Sequence, residues 1–165
     1  MAQAFAAVAP PTLSPAALPA QAGHLQHLQP PGLYDAAPNG YTHVVQVESP
    51  LRWVFVSGQG GENAAAELPD DFAAQARQAL ANVQTALRAA DADMHDVAKL
   101  TVLIVDHSLE RFHHWQQALR QYWGEGGGEG QQPPRPFPAC TLIPVPKLAL
   151  PGMLIEVEAT AALPL

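Results

Sequence analysis

A chain of 165 residues, 48% apolar and 14% charged, has the material for one domain with a sizeable core and is too apolar to remain unfolded. The formal net charge of −7 and the eight scattered Lys and Arg residues argue against a surface for phosphate backbones, which needs cations to neutralise charge. No apolar run has the length a bilayer span requires, so no membrane partner is expected. The single cysteine, Cys140, rules out an intrachain disulfide and a cysteine-based structural metal site.

Residues 1–30 are rich in Ala, Pro, Gln and Leu, with neither a strand nor a helix period. Prolines at 10, 11, 15 and 19 deny regular structure, so this segment is expected to be a mobile N-terminal extension, with residues 31–165 as the domain. The first Lys or Arg is Arg52, so the opening lacks the positive region of an export signal and a cytoplasmic protein is expected. His24 and His27 lie in the extension with no third ligand nearby in sequence, which favours solvated histidines over a metal site.

The alternation from His43 to Glu48 predicts a half-buried strand, and Trp53–Ser57 a second one joined to it as a hairpin. Residues 57–61 then form a glycine-rich loop without the Lys-Ser/Thr of a phosphate loop. Asp70 or Asp71 can cap a helix to about Ala90, with Phe72, Ala76, Ala79, Leu80, Val83, Leu87 and Ala90 on one stripe and Gln75, Gln78, Asn82 and Arg88 outside it. Val97–Val105 is continuous enough in apolar residues to predict a strand buried on both faces. Ser108 can cap a second helix that buries Leu109, Phe112, Trp115, Leu119 and Tyr122. Its adjacent His113 and His114 diverge by about 100° and cannot share a ligand. Residues 124–136 read as a flexible polar loop, followed by a closing hairpin of strands over 139–146 and 153–162.

The order hairpin, helix, strand, helix, hairpin predicts an α+β fold with both helices on one face of a mixed sheet. The other face would then be an uncovered apolar patch, which favours self-association through the sheet and a site at the subunit boundary.

Several segments, in order, resemble one family. They are Gly40-Tyr41, Ser57-Gly58-Gln59, Phe72-x-x-Gln75-x-x-Gln78-x-Leu80-x-Asn82-Val83, Val97-x-Lys99-x-Thr101-Val102, Asp106, Phe137-Pro138-Ala139 and Ile155-Glu156-Val157-Glu158-Ala159-x-Ala161. The chain is similar over roughly residues 30–163 to the Rid (reactive intermediate deaminase, YjgF-type) proteins. That resemblance implies a chorismate-mutase-like fold, a homotrimer with a small-molecule cleft between subunits, and cofactor-free hydrolysis of imines and enamines to ammonia and a 2-oxo acid.

Hydrolysing a C=N bond needs a group that holds the substrate, polarisation of the nitrogen and an aligned water. By the resemblance, an arginine after the Pro-Ala pair grips the substrate carboxylate, and Cys140 stands at that position here. A thiol has no bidentate fork, so standard imino acids are poor candidates. Arg135 is a substitute only if its proline-flanked loop reaches the site; the simpler reading is a solvated arginine. Cys140 itself reads as an inert or pocket-lining apolar residue or, given a base nearby, a nucleophile. The resemblance makes Glu156 the water-handling carboxylate, with Glu158 beside it a solvent-facing residue. It also places Tyr41 and Ser57 near the ligand, and Gln116 where many members carry an asparagine. Local hydrogen bonding is the competing account for the two hydroxyls. The functional expectation is an imine or enamine hydrolase, with a noncatalytic metabolite-binding trimer as the alternative. The endoribonuclease activity attached to the family fits poorly with the acidic charge balance.

Overall fold

The computed structural model describes residues 24–48, 50–124 and 135–165. Its elements are β1 (Leu25–Leu28), β2 (Val44–Val47), β3 (Leu51–Gln59), α1 (Phe72–Arg88), β4 (Val97–Val105), α2 (Leu109–Leu119), β5 (Ala139–Val145) and β6 (Ile155–Pro164). Two 3-10 turns, at Ala37–Asn39 and Met94–Asp96, complete it. The main sheet runs β3-β6-β4-β5, and β1 and β2 form a separate two-stranded sheet. β6 is antiparallel to both neighbours, whereas β4 and β5 are parallel. No helix among the described residues is long and apolar enough to cross a membrane.

Both helices begin where the capping chemistry puts them. The Asp71 carboxylate accepts from the Ala74 N–H at 2.7 Å, and the Ser108 hydroxyl accepts from Arg111 N–H at 3.1 Å. Each cap satisfies a donor that the first helical turn cannot, worth about 1 kcal/mol. The α1 stripe of Phe72, Ala76, Ala79, Leu80, Val83 and Leu87 is buried against the sheet side chains Leu100, Val102, Ile104, Ile155, Val157 and Ala159. α2 adds Trp115, Ala118 and Leu119 to the same layer, so both helices cover one face.

Several expectations are corrected. Strands β2 and β3 are not a hairpin: β2 pairs with β1, Leu25 opposite Val47, so residues 25–28 of the expected mobile extension are a strand. Residues 1–23 and the loop segment 125–134 lie outside the described residues. The closing strands also do not pair with each other, because β6 inserts between β3 and β4 and leaves β5 as an edge. β4 is less enclosed than its composition implies: Lys99, Thr101 and Leu103, on the face away from the helices, are only partly buried.

That second face is also not wholly bare. At one end the β1–β2 sheet covers it, where Leu25 packs with Ala98 and Ala162, backed by Val45, Val47 and Leu51. Beyond this cover Trp53 and Phe55 are 49% and 77% exposed and stack with ring centroids 6.5 Å apart. On α2, Leu109 faces solvent rather than the core. Gln75, expected outside the apolar stripe, is fully buried. Its amide nitrogen donates to the Pro69 and Gly152 carbonyls at 2.7 and 2.9 Å, and its oxygen accepts from Leu154 N–H at 2.8 Å. Every polar atom of that side chain therefore has a partner, which is what makes its burial tolerable.

Candidate active site

The expected site residues fall into two groups on opposite faces of the sheet. The first lies at the β5 edge. Thr42 N–H donates to the Pro138 carbonyl at 3.1 Å, which lays the segment before β2 along the start of β5. Cys140, opposite Leu100 in the parallel register, faces the helix layer and packs against the core. Burial pushes its thiol up to about 11, with the Lys99 cation opposing only part of that rise. The sulfur is thus a neutral thiol at neutral pH and not a thiolate nucleophile.

Tyr41 neighbours that thiol and is held in a cluster that sequence reading did not assemble. Its hydroxyl shares a hydrogen bond with that of Tyr34, and the rings of Tyr34, Tyr41 and His43 meet edge to face at centroid distances of 5.2–6.4 Å. His43 Nε2 donates to the Tyr34 carbonyl at 2.8 Å. The Tyr34 hydrogen bond comes first in raising the Tyr41 phenol to about 12, followed by burial and the nearby Tyr34 and Cys140 charges. Tyr41 is therefore a neutral hydrogen-bonding group throughout the physiological range.

Gln116 serves this corner indirectly. Its amide donates to the Pro38 carbonyl at 2.8 Å, and Arg120 donates to the same oxygen at 3.0 Å. Together they fasten the 3-10 turn that leads into Tyr41. That turn ends on Gly40 at φ 79°, where a Cβ would also sit 3.2 Å from Leu119. A side chain there would be strained on both counts.

The second group lies on the face away from the helices. Glu156 is opposite Leu103 and points to the partly open side, with Glu158 opposite Thr101 and exposed. The register of β3 against β6 slips between Val56 and Gln59, so Ser57 and Gly58 form an irregularity beside Glu156. Gly58 leaves room for that side chain, since a Cβ would lie 2.0 Å from the Glu156 carboxylate oxygen and would turn the glutamate away. The carboxylate therefore rests directly on the Gly58 backbone. Ser57 is exposed, and its carbonyl, with that of Gly58, accepts from the Gln59 amide at 3.0 and 3.2 Å. Asn82 fixes the loop beyond, donating to the Gly60 and Glu62 carbonyls at 3.0 and 2.8 Å, and Gln78 donates to Asn82 at 2.8 Å.

One chain thus brings Tyr41, Cys140 and Gln116 to one corner, and Ser57 and Glu156 to another. It does not bring the corners together: β4 lies between β5 and β6, and Cys140 and Glu156 point to opposite faces. Tyr34 and His43 were missed as members of the first corner, and the only sequence signal was three ring residues within ten positions. Among the described residues no three His, Cys, Asp or Glu side chains are grouped to hold a metal ion.

The profile of the family described as Endoribonuclease L-PSP matches residues 34–163. The 2-iminobutanoate/2-iminopropanoate deaminase of Bos taurus is 33% identical over 129 residues, spanning 76% of this chain and 82% of that one. Among solved structures, the Rid-family protein YyfB from Yersinia pestis superposes with a TM-score of 0.74 at 34% identity, covering 85% of this chain and 99% of its own. The YjgF gene product of E. coli gives a TM-score of 0.54 at 30% identity, covering 66% and 79%. The ordered motifs, the mixed sheet with two helices on one face, and these likenesses agree: the chain belongs to the Rid (YjgF, L-PSP) family and has its α+β, chorismate-mutase-like fold.

Proposed function

We propose that this chain is a cofactor-independent hydrolase of small imines or enamines, working in a cleft between the subunits of a homotrimer, on substrates that do not depend on a gripped carboxylate. Support for the reaction class comes from the family and from relatives named 2-iminobutanoate/2-iminopropanoate deaminase. The observation that carries the substrate class is the neutral, half-buried thiol of Cys140, at the position where the family resemblance implies an arginine, with an uncharged phenol beside it. A carboxylate placed there would meet no guanidinium fork, and the cation that the thiol does sense, Lys99, already donates to the Thr141 hydroxyl.

The remaining parts have natural roles. Glu156, held on Gly58, orients and deprotonates a water that adds to the C=N carbon. The proton passes to nitrogen to give the carbinolamine; its hydroxyl proton then moves through Glu156 to the amino group as the C–N bond breaks, so ammonia leaves as the carbonyl forms. Tyr41 donates a hydrogen bond to the substrate, and Ser57 lines the Glu156 side. Because the two corners face away from each other in one chain, a complete site needs the Cys140 corner of one copy opposite the Glu156 corner of another. The exposed Trp53 and Phe55 supply apolar surface for that association.

Ammonia release from freshly generated imino acids and from carboxylate-free imines tests the reading. Wild type is expected to turn over the carboxylate-free substrates, and Glu156→Ala to lose a factor on the order of 10²–10⁴. Cys140→Arg is expected to gain imino-acid turnover. Absence of turnover on both substrate types sinks the hydrolase reading and leaves a noncatalytic metabolite-binding trimer, which the missing guanidinium at Cys140 also favours.

A further inference from the structure

Tyr34 is 60% exposed and takes no part in the core, yet it is held at three points. Its carbonyl accepts from His43 Nε2 at 2.8 Å. Its ring meets those of His43 and Tyr41 edge to face, with centroids 5.2 and 6.4 Å away. Its hydroxyl shares a hydrogen bond with that of Tyr41. The chain beyond it is fixed as well: Ala36 is fully buried, the Asp35 carboxylate accepts from Ala37 N–H at 3.0 Å, and Gln116 and Arg120 hold the Pro38 carbonyl. Ordering an exposed side chain costs rotamer freedom that so little burial does not offset. Packing therefore leaves the placement of Tyr34 without a reason.

We propose that Tyr34 is a positioning residue, which aims the one proton of the Tyr41 hydroxyl at the nitrogen of the bound imine; this rests on the hydrolase reading above. The argument is a count of protons. A phenol carries one proton, so a bonded pair of phenols holds one proton in the shared bond and keeps one spare. In the free protein Tyr41 donates and Tyr34 accepts, the direction in which their bond raises the Tyr41 phenol. Tyr41 can donate to a substrate and keep its neighbour only if Tyr34 turns and donates to Tyr41. That reversal rotates two hydroxyls and moves no ring, because the edge-to-face contacts and His43 fix both tyrosines. Donation in series from Tyr34 to Tyr41 to nitrogen also strengthens the second bond, since each polarises the next. Cys140 offers only a weakly hydrogen-bonding thiol turned to the helix layer, so orientation at this corner falls to the phenol pair. Tyr41 donates without giving up its proton, and the proton transfers through Glu156 are unchanged.

Tyr34→Phe in the full chain tests this, because it removes the hydroxyl and keeps the ring and the backbone carbonyl. The variant should melt with wild type, as the residue is exposed, and Tyr34→Leu is a second hydroxyl-free variant should the first not fold. On a carboxylate-free imine Tyr34→Phe should lower kcat about tenfold and leave KM within about twofold, the pattern of an interaction made in the transition state. In a Tyr41→Phe background the same change should cost nothing further, because no proton is left to aim. A purely structural Tyr34 would cost the same factor in both backgrounds. Tyrosine NMR gives a readout independent of turnover, since only Tyr41 and Tyr122 remain in the variant. At about pH 11 the Tyr41 ring should be largely neutral in wild type and largely ionised in Tyr34→Phe. Wild-type kcat in Tyr34→Phe, equal losses in both backgrounds, or a Tyr41 ring that titrates alike in both proteins overturns the inference while the hydrolase reading stands. No turnover of any imine by wild type removes that reading and this inference with it.

Discussion

The two faces of the main sheet are built from the same strands and do opposite work. The face under α1 and α2 is closed by interlocking Leu, Val, Ile and Ala side chains, and its one buried amide, Gln75, has every polar atom satisfied. The other carries Glu156, Glu158, Lys99 and Thr101 among exposed aromatic rings, with a cover over one end only. On the proposed function, stability resides in the closed face and chemistry and association in the other. Substitutions on the closed face should register as folding energy, and substitutions on the other as assembly or turnover.

The sharpest way to break that contrast is a cavity. Leu80→Ala, at a fully buried position, should cost about 2–5 kcal/mol in a denaturant titration. A loss under about 1 kcal/mol would mean the helix layer is not the core. Gln75→Leu keeps the volume but strands the Pro69 and Gly152 carbonyls and the Leu154 N–H, so about 2–4 kcal/mol should be lost.

Cys140 extends the comparison to pH. Its thiol rises from an ordinary 9.0 to about 11 on folding, so the unfolded chain releases that proton first. The stability tied to the neutral thiol is fully present below pH 9.0 and is lost as pH rises to about 11. Wild type should therefore fall relative to Cys140→Ala by about 2–3 kcal/mol across that window, read from paired melts. Parallel curves for the two proteins would show that the sulfur is not desolvated.

The smallest folding effect is expected on the other face. Phe55→Ser removes a ring that is 77% exposed, so subunit stability should change by no more than about 0.5 kcal/mol. In the homotrimer proposed above, native mass should nevertheless shift toward monomer. A trimer unaffected by Phe55→Ser and Trp53→Ser together would mean that this face is not where copies meet.

Local features of the fold were legible in the sequence because their causes are local. Asp71 and Ser108 mark the helix starts by capping, and the run from Val97 to Val105 matches β4 at both ends. Strand pairing was not legible, because the partners are remote. β2 finds β1 rather than the adjacent β3, and β6 passes over β5 to reach β4. The four residues of β1 sit after a proline-rich stretch whose composition hides their alternation. Tyr41, Ser57, Gln116, Cys140 and Glu156 were singled out through family likeness, not periodicity. Their division between two faces followed only once register was known. Gln75 was placed outside the apolar stripe because helical periodicity cannot tell a polar residue in water from one buried with partners.

β5 is an edge of the main sheet, preceded by Pro138, interrupted by Pro144 and followed by Pro146. Each proline lacks the N–H that an incoming strand would need, so this rim is a poor template for adding another chain. Growth by strand addition would be open-ended and would produce fibres. Growth through a broad face instead stops when a small ring closes on itself. The three prolines thus discourage the endless assembly, and they leave the finite one as the outlet for whatever surface the fold keeps uncovered.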